Sequence, residues 1–166
     1  LWSFAPHDVA VILRLMGQAP VEVSSCGGSY LTNGIADTTI SNLRFENECR
    51  AHIFVSWLHP FKEQRLVVVG DKKMATFNDV APFGKKLQLY QQKVELDGAM
   101  PILKKEGAQF VEHADTEPLR EECKHFLECI QSRNQPLTNA QSGIDVLKVL
   151  HACQKSIGQN GVPVSL

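Results

Sequence analysis

The chain has no glycine-rich strand–turn–helix fingerprint. Gly27-Gly28 and Gly84 fall in loop-like stretches, outside the strand–GxGxxG–helix context that would hold a dinucleotide. A GxSxG elbow is also missing, and no order of Cys and His defends a nucleophilic pair. No apolar run approaches the roughly 18 residues needed to cross a bilayer, and nothing resembles a signal peptide. Neither charge is in excess: 17 basic and 18 acidic residues leave a net charge of −1, which argues against a nucleic-acid footprint. Taken alone, the chain does not read as a complete enzyme.

Cysteine is present but without a metal-binding pattern. Cys26, Cys49, Cys123, Cys129 and Cys153 are odd in number and include no CxxC pair. Cys123 and Cys129 sit about 240° apart around a predicted helix, so they face away from each other. His125 and Cys129 do share a helical face, but two ligands fall short of a zinc set. The expectation is no metal, and reduced thiols, mostly core-filling, in a cytoplasmic protein.

What is there suits one domain over 1–166, since 43% hydrophobic and 21% charged residues can build a single core. Pro6 suits the first helical position. Val9, Ile12, Leu13 and Met16 then recur at helical spacing until Gly17 ends the run. Strands are predicted at 21–24, 39–45 and 50–57, the last two joined by Glu46-Asn47-Glu48 as a hairpin. Residues 65–69 form a continuous apolar run, as expected of a central strand covered on both faces. Gly70 to Lys73 turns the chain into residues 74–78, and residues 86–96 alternate as one further strand.

Residues 97–108, with Lys104-Lys105, read as an exposed loop, and residues 109–113 as one more short strand. Two helices close the chain. One carries Leu119, Cys123, Phe126, Leu127 and Ile130 on a stripe. The other opens with Thr138-Asn139-Ala140-Gln141, which fits a capping box, and carries Val146, Leu147, Leu150, Cys153 and Ile157. Both stripes are expected to be core. The sum is an α+β fold: an open, mostly antiparallel sheet of about six or seven strands with helices on one face. The other face needs a cover, either another domain or a second subunit.

His7 is placed by this pattern on the first turn of a helix, where unpaired N–H groups gather and the dipole is positive. That setting suits a neutral imidazole that accepts a proton; the plainer alternative is a polar residue near a helix start. The chain begins without methionine inside what reads as a working segment, so the expectation is a fragment or separated domain.

Three segments in order carry a resemblance. Trp2-Ser3-Phe4-Ala5-Pro6-His7-Asp8 is similar to the W-D-L-A-P-H-D segment of the glucose–fructose oxidoreductase, inositol dehydrogenase and MocA family. Residues 56–62 with 66–72 resemble the strand and turn of that family's sheet domain, and residues 117–127 its closing helix. The resemblance implies a carboxy-terminal substrate and oligomerisation domain of an NAD(P)-dependent sugar oxidoreductase. The suggested branch oxidises position 3 of UDP-N-acetylglucosamine or its uronic acid. NAD(P) would be bound mainly by a Rossmann domain with no counterpart in this chain. His7 aligns with the family histidine that faces the substrate hydroxyl, and imidazole chemistry suits removal of that proton.

There are departures as well. Where the family usually has aspartate four residues before the histidine, this chain has Ser3, which can hydrogen-bond but carries no fixed charge. Where many branches have aspartate three residues after it, this chain has Ala10, with Asp8 adjacent to His7 instead. Further candidates for substrate contact each have a plain alternative. Lys62 is either a partner for a pyrophosphate or carboxylate or a solvated turn lysine. Arg44 faces ligand or the wet side of a sheet, and Tyr30 touches sugar or caps the core. His59, beside Pro60, is expected to be structural. The two readings that follow are an enzyme's substrate domain and a non-catalytic assembly or ligand-binding sheet module.

Overall fold

The computed structural model describes residues 1–91, 93–104 and 107–166. It opens with helix α1 (Ala5–Met16) and strands β1 (Glu22–Gly28), β2 (Thr38–Arg44) and β3 (Arg50–Ser56). Strands β4 (Arg65–Val69), β5 (Met74–Asn78), β6 (Leu87–Tyr90), β7 (Lys93–Asp97), β8 (Met100–Lys104) and β9 (Ala108–Phe110) follow. Helices α2 (Pro118–Ser132) and α3 (Ala140–Gly158) and the short strand β10 (Val164–Ser165) complete the chain. The chain folds into two compact units, one of residues 1–59 with 126–166 and one of residues 60–125.

The first unit is an antiparallel sheet in the order β10-β1-β2-β3. Alternation along β2 buries Thr39, Ser41 and Leu43 and turns Thr38, Ile40, Asn42 and Arg44 the other way, as a strand's two-residue period requires. Helices α1 and α3 pack on the buried side. Ala5, Val9 and Ile12 of α1 meet Val23, Leu43, Phe45, Ile53 and Val55 there, with Val149, Leu150 and Cys153 of α3. Helix α1 stops where Gly17 turns left-handed at φ 67°, its N–H donating to the Leu13 carbonyl at 2.9 Å. The β2–β3 hairpin pairs Arg44 with Arg50 and Thr38 with Ser56.

The second unit holds an antiparallel sheet in the order β4-β5-β6-β9 and the separate β7–β8 hairpin. Among the described residues there are thus ten strands in three sheets, more than the six or seven expected, within the α+β antiparallel class that was expected. One cause is that residues 86–96 do not run as one strand: they divide into β6 and β7, which enter different sheets. Another is that residues 97–108, read as a loop, supply β8 as the partner of β7. Lys104 accordingly lies in β8, while Lys105 lies outside the described residues.

Five other expectations are corrected. Strand β4 is not central: it is an edge strand, and Val69 is 75% exposed, because an apolar run records what a strand could bury but not where it is placed. Helix α2 buries none of its residues within this chain, so its Leu119, Phe126, Leu127 and Ile130 stripe is not core here. On α3, Leu147 is exposed, whereas Leu150 and Cys153 are buried as expected. That helix is capped by Asn139 rather than Thr138: the Asn139 side chain accepts the Ser142 N–H at 2.9 Å, and Gln141 turns to Asp145. The cysteines form no disulfide, and only Cys153 fills the core; Cys26, Cys49 and Cys123 are exposed.

Candidate functional site

One end of the first unit gathers aromatic and polar groups around the start of α1. The turn before the helix presents Trp2, Ser3 and Phe4, all exposed. Phe4 stacks on Trp57, just past β3, with ring centroids 4.6 Å apart and planes inclined at 42°. Trp2 meets the edge of His151 on α3 at 5.1 Å and donates its Nε1–H to Gln154 Oε1 at 3.0 Å. These contacts fix the entry of the chain into α1 from both sides.

His7 lies on the first turn of α1, exposed, with its backbone N–H donating to the Phe4 carbonyl at 3.3 Å. No described residue hydrogen-bonds its ring. Asp8 is also exposed, yet enough chain crowds its carboxyl for desolvation to raise it above the ordinary aspartate value, with neighbouring His7 pulling it back down. Ser3 stands on the turn ahead of the helix, and no described residue hydrogen-bonds its hydroxyl either.

Tyr30 belongs to the same end of the unit. It follows β1 in the loop that returns to β2, and it is 72% exposed. Its ring lies over Gly28: a Cβ there would sit 2.5 Å from Tyr30 Cε2, at the exposed end of the side chain. Asp37, at the end of the loop, ties it down: its carboxylate accepts the N–H groups of Tyr30 and Leu31, the latter at 2.6 Å. The Trp57 N–H donates to the Asp37 carbonyl at 2.9 Å. The Tyr30 loop, Trp57 and Phe4 are therefore linked in one chain of contacts that ends beside His7.

Arg44 is not part of that group. It sits at the other end of β2 from Thr38, about 20 Å along the strand at the usual rise per residue. There it faces the helix-free side of the sheet and pairs with Glu22, Nε to Oε1, at 3.3 Å. A depression of about 320 Å³ lies around it, lined by Glu22, Ser24, Asn42, Arg44, Arg50 and His52. Lys62 belongs to the second unit, where its ammonium is 3.5 Å from Asp79 Oδ2, and Lys86 holds the other oxygen at 2.9 Å. His59 stacks at 5.4 Å with Phe54, which accords with a structural role.

Phe4, Trp57 and Asp37 are the members of this end that the one-dimensional reading passes over. An aspartate directly before a strand, after a loop that contains Gly34, is the pattern that could have marked the third. The aromatic pair is 53 residues apart, as the two numbers show, and leaves no local trace.

Among the described residues no group of three or more His, Cys, Asp or Glu could hold a metal, and no helix is long and apolar enough to cross a membrane. Every described strand pairing is antiparallel. A βαβ turn, whose amides would receive a pyrophosphate, is therefore not built by these residues, and they do not fit the body of a dinucleotide.

Comparison with known proteins places this architecture. No curated protein matches the sequence. The fold is that of UDP-N-acetylglucosamine 3-dehydrogenase GnnA from Acidithiobacillus ferrooxidans, with a TM-score of 0.78 at 19% identity over 93% of this chain and 47% of that one. WlbA dehydrogenase from Bordetella pertussis, solved in complex with NADH and UDP-GlcNAcA, gives 0.68 at 19% identity over 98% of this chain and 43% of that one. A probable dehydrogenase from Thermotoga maritima gives 0.70 at 20% identity, over 98% and 47%. The chain spans about half the length of these structures. Residues 1–76 match the family model of the GFO/IDH/MocA C-terminal domain.

Proposed function

We propose that residues 1–166 form the substrate-binding and oligomerisation domain of an NAD(P)-dependent oxidoreductase acting on a sugar or nucleotide sugar. NAD(P) is held mainly by a Rossmann domain outside this chain, and no metal takes part. The observation that carries the reading is His7, exposed on the first turn of α1 beside Ser3 and the Phe4–Trp57 stack. Likeness in fold to dehydrogenases whose names specify UDP-sugars supports the substrate class.

Oxidising a carbinol requires loss of the hydroxyl proton, and His7 is the side chain assigned to accept it. Ser3 and Tyr30 are assigned to the sugar; Arg44, at the other end of β2 and paired with Glu22, is not assigned to it. A protein with reduced thiols working in the cytoplasm is consistent with five cysteines and no disulfide. The helix-free side of the first sheet, with Ile40 and Phe54 exposed, is assigned to self-association.

A second reading, a non-catalytic assembly or ligand-binding module, is favoured by Ser3 at the position where the family usually has aspartate. No described carboxylate hydrogen-bonds the His7 ring. The two readings part on one experiment. The complete protein, given UDP-N-acetylglucosamine and NAD, is expected to generate reduced nicotinamide, and His7→Ala to lower turnover by about 10²- to 10⁴-fold with unchanged circular dichroism. An unchanged rate removes His7 from the mechanism. No turnover by the parent, with self-association intact, supports the module.

A further inference from the structure

We propose that Asp37 is a positioning residue for ligand recognition, holding the loop at 29–36 as a rigid wall that presents Tyr30 to the sugar. The inference deepens the substrate-domain reading and rests on it. Asp37 is 8% exposed, and its N–H, its carbonyl and one carboxylate oxygen are engaged in shaping this end of the unit. Its N–H donates to the Gly28 carbonyl at 2.8 Å, its carbonyl accepts from Trp57, and one carboxylate oxygen, Oδ2, accepts from both Tyr30 and Leu31.

The loop is closed a second time at its tip, where the Ile35 N–H donates to the Thr32 carbonyl at 3.1 Å and Gly34 takes φ 80°. The Tyr30 ring lies against the bare backbone of Gly28. A loop fixed this firmly nevertheless turns Tyr30, Leu31 and Ile35 to solvent. Order combined with exposed apolar side chains is what a preformed recognition surface needs, since little entropy is left to lose on binding.

Trp57 and Phe4 connect this wall to the turn that carries Ser3 and leads into His7. Both loop amides sit on a single oxygen, so asparagine can replace the acceptor if its amide oxygen takes the place of Oδ2, whereas alanine cannot. That difference separates positioning through a hydrogen bond from the loss of a charge.

The test is titration of the protein with UDP-N-acetylglucosamine for wild type, D37A and D37N, with amide hydrogen exchange measured on the same samples. D37A is expected to raise Kd about tenfold, and D37N to stay within about threefold of wild type. In D37A, exchange should speed up at Tyr30 and Leu31 while the Val149 and Leu150 amides keep their protection. Wild-type binding with an equal Kd in D37A overturns this inference alone. Loss of protection across α3 in D37A, with D37N bound no better than D37A, also overturns it and makes Asp37 a general structural residue. No binding by wild type overturns the substrate-domain reading together with this one.

Discussion

The Ser156 hydroxyl accepts the backbone N–H of Ser25 at 2.8 Å and donates onward to the Val162 carbonyl at 2.8 Å. Strand β10 pairs with β1 only at Glu22 and Val23, so the β1 amide beyond that point has no strand partner on that side. A side chain from α3 takes over where the ladder ends. Below it the Ser25 hydroxyl donates to that of Ser41 at 2.8 Å, which extends the polar link through the core to β2.

Removing that hydroxyl leaves a buried donor unpaired. Ser156→Ala is expected to cost about 1–3 kcal/mol in urea-induced unfolding. A loss below about 0.5 kcal/mol would mean that water reaches the Ser25 amide.

The contrast between core and edge is testable with two apolar residues. Phe45 is fully buried in the first unit, and Phe45→Ala is expected to destabilise by about 3–5 kcal/mol. Val69, on the edge strand, should tolerate threonine within about 0.5 kcal/mol. A Val69→Thr loss comparable to that of Phe45→Ala would restore the central-strand reading of residues 65–69.

Asp79 is predicted to titrate low. The Lys86 hydrogen bond, aided by the charges of Lys86 and Lys62 and opposed by desolvation, holds its carboxyl below the ordinary 3.8. A depressed folded value means the stabilisation is in place above the ordinary aspartate range and is lost as pH falls through the lower folded value. In NMR titrations Lys86→Met should move the Asp79 midpoint back toward 3.8, and Lys62→Met should move it less. Equal shifts would show that Lys62 is committed to Asp79 as strongly as Lys86 and is poorly placed to serve a substrate.

Self-association is expected to depend on the row Cys26, Ile40 and Phe54, which the sheet register aligns across its helix-free face. Phe54→Glu should reduce the mass measured by size exclusion with light scattering to that of a monomer, with thermal stability preserved. An unchanged oligomer would move the contact elsewhere.

Much of the architecture was legible because it is written in local periods. The i, i+3, i+4 spacing marks α1 and α3, a glycine able to turn left-handed ends α1, and strict alternation yields the β2–β3 hairpin. His7's place on the first helical turn follows from Pro6 alone. Less legible was anything that depends on which surfaces meet. The stripe on α2 looks the same in sequence as the one on α3, yet α3 lies against β1 and α1 while α2 buries nothing.

By itself, the sequence determined the α+β class, the element types in the first unit, and a histidine at a helix start. Each is a matter of neighbours a few residues apart, where backbone sterics and side-chain spacing decide. Only the tertiary structure decided that β4 is an edge, that Asp37 anchors the Tyr30 loop, that Phe4 meets Trp57, and that Arg44 stands at the far end of the sheet from them. Those outcomes come from contacts between segments distant in the chain, whose free energy depends on burial and geometry that no local pattern encodes.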